Sequence, residues 1–312
     1  MALHGLSGIT VGVPVVGPTA EYYTDFGLRP VPVHPDGDLG FETVDGGEQL
    51  RLTRAPRRRL VELRVAADDP DDIARIAAAL ARLEVPSERT ESRLTTYDPG
   101  TEVSVIVAAA PRLQQPATPA PPYNGPGDIA RPDTRADGVL RTERVRPRRL
   151  GHVVLGSTDQ ERSQRVFTEG LGFKVSDLVR GRAAFLRCSS DHHNVLVQQT
   201  PVAFLHHSSW QVNDVDEIGR GAMAMLEKDP SRHVWGLGRH HIGSNFFWYL
   251  RDPAGNFSEY YSDLDCIVDD ALWQPQQWEG LRGLYNWGPP PPPSFLAPED
   301  LAELMVGVHG GS

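Results

Sequence analysis

Glu259 lies in Phe257-Ser-Glu-Tyr-Tyr261, a run with the composition of a β-strand. Period-2 alternation puts its carboxylate on the same face as Phe257 and Tyr261. A carboxylate among aromatic rings is costly unless something pairs with it. The groups on offer are imidazoles: eight of the 11 histidines fall between His152 and His241. Among them, His152 in Gly151-His-Val-Val-Leu155 and His207 in Leu205-His-His-Ser208 occupy strand-like segments of their own. Two neutral imidazoles and one carboxylate can hold a divalent ion from one side and leave adjacent coordination positions open. That is the arrangement used by non-haem Fe(II) oxygenases. His152, His207 and Glu259 are far apart in the chain, which excludes a local motif of the zinc-finger or HExxH kind. Only the fold can bring them together.

A duplicated scaffold must do so. Leu6-Ser-Gly-Ile-Thr-Val-Gly12 is matched by Leu150-Gly-His-Val-Val-Leu-Gly156, and Tyr23-Thr-Asp-Phe-Gly-Leu28 by Phe167-Thr-Glu-Gly-Leu-Gly172. Each copy continues with a strand pair and then a helix. In the first, Ile73, Ile76, Leu80 and Leu83 recur at helical spacing after an acidic start; in the second, Ile218, Ala222 and Met225 do so. Each closes on a turn and strand, Tyr97-Asp-Pro-Gly100 and Arg251-Asp-Pro-Ala-Gly255. The second turn joins Phe246–Leu250 to Phe257–Tyr261 as a hairpin, so Tyr249 and Glu259 are expected to face one pocket. The fold class is therefore α+β, in two modules. They are read as 1–110 and 150–265, with a Pro- and Arg-rich connector over 111–149. A Pro- and aromatic-rich tail over 266–312 is expected to act as a lid. The repeat also supplies an internal control: counted through the copies, Gly8, Leu60 and Ser104 stand where His152, His207 and Glu259 stand. Core packing would not confine three ionisable groups to one copy, whereas a single metal site would.

The chain has 312 residues and a net charge of −10, which argues against nucleic acid or an anionic membrane surface as a partner. The basic residues are nearly all Arg, with Lys174 and Lys228 the two lysines. No run approaches the ~20 apolar residues of a membrane span, and the N-terminus lacks the layout of a signal peptide. Cys188 and Cys266 have no CxxC spacing, so the expected location is the reducing cytoplasm.

With these motifs in place, the second module resembles the catalytic module of the type I extradiol ring-cleavage dioxygenases, in the vicinal oxygen chelate superfamily. The matching blocks are Gly151-His152 through Gly156, Leu205-His-His207 through Asp214, and Gly238-Arg-His240 through Tyr249 to Glu259. Gly255-Asn-Phe-Ser-Glu259 is similar to the homoprotocatechuate and catechol 2,3-dioxygenase branch. The likeness extends over about residues 5–265. It implies tandem βαβββ modules of the glyoxalase-like fold forming two open barrels, the first of them degenerate. It implies Fe(II), with Mn(II) as the other option, on His152, His207 and Glu259. His193 takes the acid–base position, His240 that of a hydrogen-bond donor to substrate or oxygen, and Tyr249 that of a donor to a substrate oxygen. The partners implied are a small aromatic diol and O₂, with self-assembly common among relatives. The expected reaction opens a substituted catechol beside its two hydroxyls to a hydroxymuconic-type product. His241 departs from relatives that carry Arg, Thr or Ser there, and His206 is read as structural, pointing away from His207. Val154, Phe185, Trp210 and Phe247 are expected as pocket walls. Two other readings compete: a metalloenzyme of different chemistry on the same fold, and a binding or resistance protein that sequesters its ligand.

Overall fold

Asp69 and Asp214 each stand one residue before an apolar helical stripe, and each side chain accepts a backbone N–H of the first turn: Asp72 at 2.9 Å and Glu217 at 3.0 Å. These caps start the long helix of each module. The computed structural model describes residues 3–280 and 283–306. The first module runs β1 (Leu3–Val13), α1 (Val16–Asp25), β2 (Arg29–Pro30), β3 (Leu39–Thr43), β4 (Gly47–Arg54), β5 (Arg59–Ala67), α2 (Pro70–Arg82), β6 (Ser87–Arg89), β7 (Arg93–Asp98) and β8 (Val103–Ala109). A connector with one short helix, α3 (Asp137–Leu140), leads to β9 (Arg149–Ser157), α4 (Gln160–Arg165), β10 (Lys174–Val179), β11 (Ala183–Arg187), β12 (Val195–Gln199), β13 (Phe204–Gln211), α5 (Val215–Lys228), β14 (His233–Arg239), β15 (Phe246–Arg251) and β16 (Phe257–Ser262). The tail adds β17 (Gln277–Trp278), α6 (Pro293–Leu296) and α7 (Leu301–Val306). None of the described helices is long and apolar enough to cross a membrane.

Two open mixed sheets result, ordered β2-β3-β4-β1-β5-β8-β7-β6 and β14-β15-β16-β13-β9-β12-β11-β10-β17. The repeat is visible at their centres. β1 pairs antiparallel with β5, which pairs parallel with β8; β9, β13 and β16 do the same. β17 extends the second sheet beside β10.

Register corrects the internal control. Leu6 pairs with Val65 and Leu150 with Trp210, so Val65 corresponds to Trp210 and not to Val212. Bulges then fall at equivalent places, Ser7 with Gly151 and Val61 with His206. Gly8 pairs with Arg64 and Arg64 with Ile106, as His152 pairs with Ser209 and Ser209 with Glu259. The counterparts of His152, His207 and Glu259 are therefore Gly8, Glu62 and Ile106; Leu60 and Ser104 are each two residues out. Glu62 is engaged by the Thr10 hydroxyl at 3.0 Å. The Arg64 guanidinium lies over Gly8, where an added Cβ would meet Nη2 at 2.5 Å. A guanidinium thus occupies the first module's version of the site.

The two sheets share one apolar core. At the seam, the Phe26 and Tyr260 rings stack with centroids 3.9 Å apart and planes 1° from parallel, and the Tyr260 hydroxyl donates to the Phe26 carbonyl at 2.6 Å. Phe26 is fully buried. Phe26→Ala is expected to cost about 3–5 kcal/mol, the usual range for emptying a buried aromatic site. Urea unfolding followed by circular dichroism measures it, and a midpoint unchanged from wild type would show that the modules do not depend on this contact.

Candidate metal centre

Strand register assembles the site. Ser209 on β13 has His152 of β9 opposite on one side and Glu259 of β16 on the other. His207, two residues before Ser209, projects from the same face of β13. Hydrogen bonding within the sheet therefore places three ionisable side chains from three strands around one point. Their donor atoms all lie within 4.8 Å of one another. Glu259 Oε2 is 3.1 Å from His152 Nε2 and 3.6 Å from His207 Nε2.

Relative exposures of 2 % for His152, 5 % for His207 and 0 % for Glu259 remove all three from solvent. Glu259 Oε2 and His207 Nε2 nevertheless have no hydrogen-bond partner among the described residues. Buried polar atoms left unpaired are expensive, and several converging on one point fit a cation that would satisfy them together. The protonation states agree. Burial first, then the neighbouring His206 imidazole, pushes His207 well below its ordinary range. Burial alone would raise the Glu259 carboxyl, but the imidazoles gathered around it, His152 first and then His240 and His207, hold it well below the usual range. Neutral imidazoles and an ionised carboxylate are the forms that bind metal.

The other sequence-selected residues surround this point. His193 lies on the loop between β11 and β12, its ring centroid 4.2 Å from that of His152 and 5.1 Å from that of Phe185. Asn194 pins the loop, accepting the Cys188 N–H at 2.8 Å and donating to the Gly151 carbonyl at 3.1 Å. His193 Nδ1 is 3.1 Å from His192 Nδ1, and His192 Nε2 is 3.2 Å from Asp177 Oδ2. An ionised carboxylate only accepts, so His192 carries its proton on Nε2 and His193 must donate from Nδ1. This leaves His193 Nε2 as the free lone pair. Burial, then the neighbouring His152 and His192 imidazoles, pushes His193 well below the ordinary imidazole range.

Tyr249 sits opposite Glu259 across the β15–β16 pair, as the hairpin reading expected. Its hydroxyl is 2.8 Å from His240 Nε2, and His240 Nδ1 donates to the Leu284 carbonyl at 2.6 Å. Tyr249 is therefore the donor in that pair. Burial and the nearby Glu259 charge keep the phenol protonated by pushing it well above its ordinary range. His240 Nε2 is also 3.7 Å from Glu259 Oε1.

Sequence reasoning missed Asn245, fully buried, whose amide donates to Glu259 Oε1 at 3.1 Å. Alternation from Tyr249 back through Phe247 reaches Asn245 on the same face, so the signal was present. Asp177 and His192 were missed as supports of His193, and Phe295 of the tail as a cover: its ring packs 4.7 Å from both His206 and Tyr249. Two expectations fail. Trp210 is no pocket wall; one residue beyond Ser209, it faces the inter-module core beside Tyr23. His206 does not point away from His207, because the bulge between Leu205 and His207 turns the two rings together, Nδ1 to Nδ1 at 2.8 Å. His241 stands over Trp278 at 4.6 Å, lining an open cleft of about 480 Å³ with Gly243, Trp273 and Gln276. Gly243 abuts the site: a Cβ there would lie 3.4 Å from His193 Cε1.

The comparisons agree with this architecture. Residues 149–260 match the Glyoxalase/Bleomycin resistance protein/Dioxygenase superfamily. The chain is 30 % identical over 303 residues to metapyrocatechase 2 of Cupriavidus necator, covering 95 % of this chain and 92 % of that one. The protein belongs to the extradiol, meta-cleaving catechol dioxygenase family of that superfamily. Its fold also matches a Mn(II)-bound glyoxalase from Novosphingobium aromaticivorans with a TM-score of 0.74 at 24 % identity, over 93 % of each chain. It matches homoprotocatechuate 2,3-dioxygenase from Arthrobacter globiformis with a TM-score of 0.73 at 18 % identity, over 95 % of this chain and 91 % of the other. The glyoxalase-like fold of tandem modules is thus established.

Proposed function

We propose that the protein holds Fe(II) on His152, His207 and Glu259 and cleaves a substituted catechol with O₂ beside its vicinal hydroxyls, giving a ring-opened hydroxymuconic-type product. The observation that carries this reading is the convergence of three buried donors on one point, where the facing atoms of two, His207 Nε2 and Glu259 Oε2, are unpaired among the described residues. When bound, the ion supplies orientation of the two catechol oxygens and an electron path between ring and O₂.

The chain's own residues handle the protons. His193 Nε2 accepts one from a catechol hydroxyl, and the positive charge formed is stabilised through His192 toward the Asp177 carboxylate. Burial keeps His193 neutral beforehand and so ready to accept. The same atom returns the proton to oxygen as the ring opens. Tyr249, held protonated and paired with His240, can redirect its O–H to a substrate oxygen while His240 Nε2 accepts from, or once protonated donates to, the same neighbourhood. Phe185, Phe247 and Phe295 exclude water around these groups.

Anaerobic loading with Fe(II), and in parallel with Mn(II), followed by O₂ uptake on a catechol panel tests the proposal. Mass spectrometry should find both oxygen atoms in the product, with Fe(II) the more active ion. Tight metal binding with no oxygen consumed on any catechol would instead support a sequestering protein.

A further inference from the structure

His152 and His207 reach the same point from neighbouring strands but are held there by different means. His152 Nδ1 has no hydrogen-bond partner among the described residues; its ring is packed instead, against His193 at 4.2 Å and Tyr261 at 5.5 Å. His207 is held through a chain of hydrogen bonds. Its Nδ1 lies 2.8 Å from His206 Nδ1, and His206 Nε2 lies 2.7 Å from the carbonyl oxygen of Phe295. The donor and acceptor inventory allows one assignment. A carbonyl only accepts, so His206 carries its proton on Nε2. A neutral imidazole with that proton offers a lone pair at Nδ1, and His207 must then donate from its own Nδ1. The lone pair of His207 is left on Nε2, the unpaired atom 3.6 Å from Glu259 Oε2.

The far end of this chain is itself anchored. Phe295 is buried, its ring 4.7 Å from those of His206, Trp235 and Tyr249. Five residues on, the Asp300 carboxylate grips the Arg58 guanidinium of the first module at 2.5 and 2.8 Å. Arg58 also donates to the Leu205 carbonyl at 2.8 Å, immediately before His206. One buried arginine therefore ties the tail, the bulge of β13 and the first module together.

We propose that His206 is a positioning residue for the metal, and that the C-terminal segment around α6 completes the metal centre by fixing, through His206, which nitrogen of His207 faces the ion. The inference rests on the reading of His207 as a ligand. Groups that orient a metal-ligating imidazole through its second nitrogen typically contribute 10–100-fold in affinity.

Dissociation constants for Fe(II) and Mn(II), measured anaerobically against a competing chelator, test it without turnover. His206→Phe keeps an aromatic ring but removes both hydrogen bonds, and about 10–100-fold weaker binding is expected. His206→Asn restores an acceptor near the Nδ1 position and should recover most of that loss. Unchanged affinity in a folded His206→Phe protein overturns the proposal, and so does an equal loss in both variants, which would show that an acceptor facing His207 Nδ1 does not set the metal affinity. Should His206→Phe fail to fold, two-bond ¹H–¹⁵N spectra of histidine-labelled, metal-free wild type decide: a proton on His207 Nδ1 supports the assignment and one on Nε2 overturns it. A wild-type protein that binds neither ion defeats the functional reading as well, whereas tight wild-type binding with insensitive variants defeats this inference alone.

Discussion

Glu259→Gln is expected to purify without iron and to consume oxygen on the best catechol at less than about 1 % of the wild-type rate, a larger loss than the 10–100-fold associated with supporting residues. The substitution keeps the volume of a fully buried side chain and removes the single negative charge of the donor set. Its amide would also place an N–H₂ or a weak acceptor where Oε2 now stands unpaired. Metal analysis and oxygen uptake measure the two losses. A control comes from the metal-free proteins. The far-UV circular dichroism of metal-free Glu259→Gln and metal-free wild type should coincide; a collapsed spectrum together with loss of metal would point to misfolding, and full metal content would remove Glu259 from the ligand set.

His193→Phe is expected to lower kcat by about 10²–10⁴, the usual contribution of a positioned acid–base group, while leaving the metal content at the wild-type level. Phenylalanine preserves the ring contacts with His152 and Phe185 and deletes the Nε2 lone pair. Steady-state oxygen uptake with parallel metal analysis separates the roles: a drop in kcat at constant metal content assigns proton transfer, and a parallel loss of metal would assign His193 a part in holding the ion. His192→Phe should produce a smaller fall of the same kind, because His193 Nδ1 then loses its acceptor and Asp177 its link to the site. An unchanged kcat in His193→Phe would transfer the acid–base role to another group.

Much of this centre is legible from residue type and alternation. Glu259 among aromatics on a strand face, the opposing Tyr249 across an Asp-Pro-Ala-Gly turn, and a histidine excess in one of two copies all read directly. What escapes is whatever a bulge or the tail decides. A bulge adds a residue without changing composition, so strict alternation through His206 points its ring the wrong way; matching Val65 to Val212, and the turn at Gly100 to that at Gly255, puts Leu60 and Ser104 two residues out of register. Trp210 was within reach, since the parity that brings Ser209 to the site sends its neighbour to the core. Phe295 was not, because a Pro-rich tail has no periodicity to show which side chain or carbonyl turns inward.

The guanidinium over Gly8 bears on how the two halves could have diverged. Restoring an ion to the first copy would require a histidine at Gly8, which Arg64 obstructs, and a carboxylate in place of Ile106. Either change alone leaves the donor set incomplete, and both must displace the Arg64 guanidinium from a cleft it shares with Arg51, Arg93 and Glu62. Reversion therefore has no productive single step, since two substitutions and the withdrawal of a guanidinium are needed before three donors could converge.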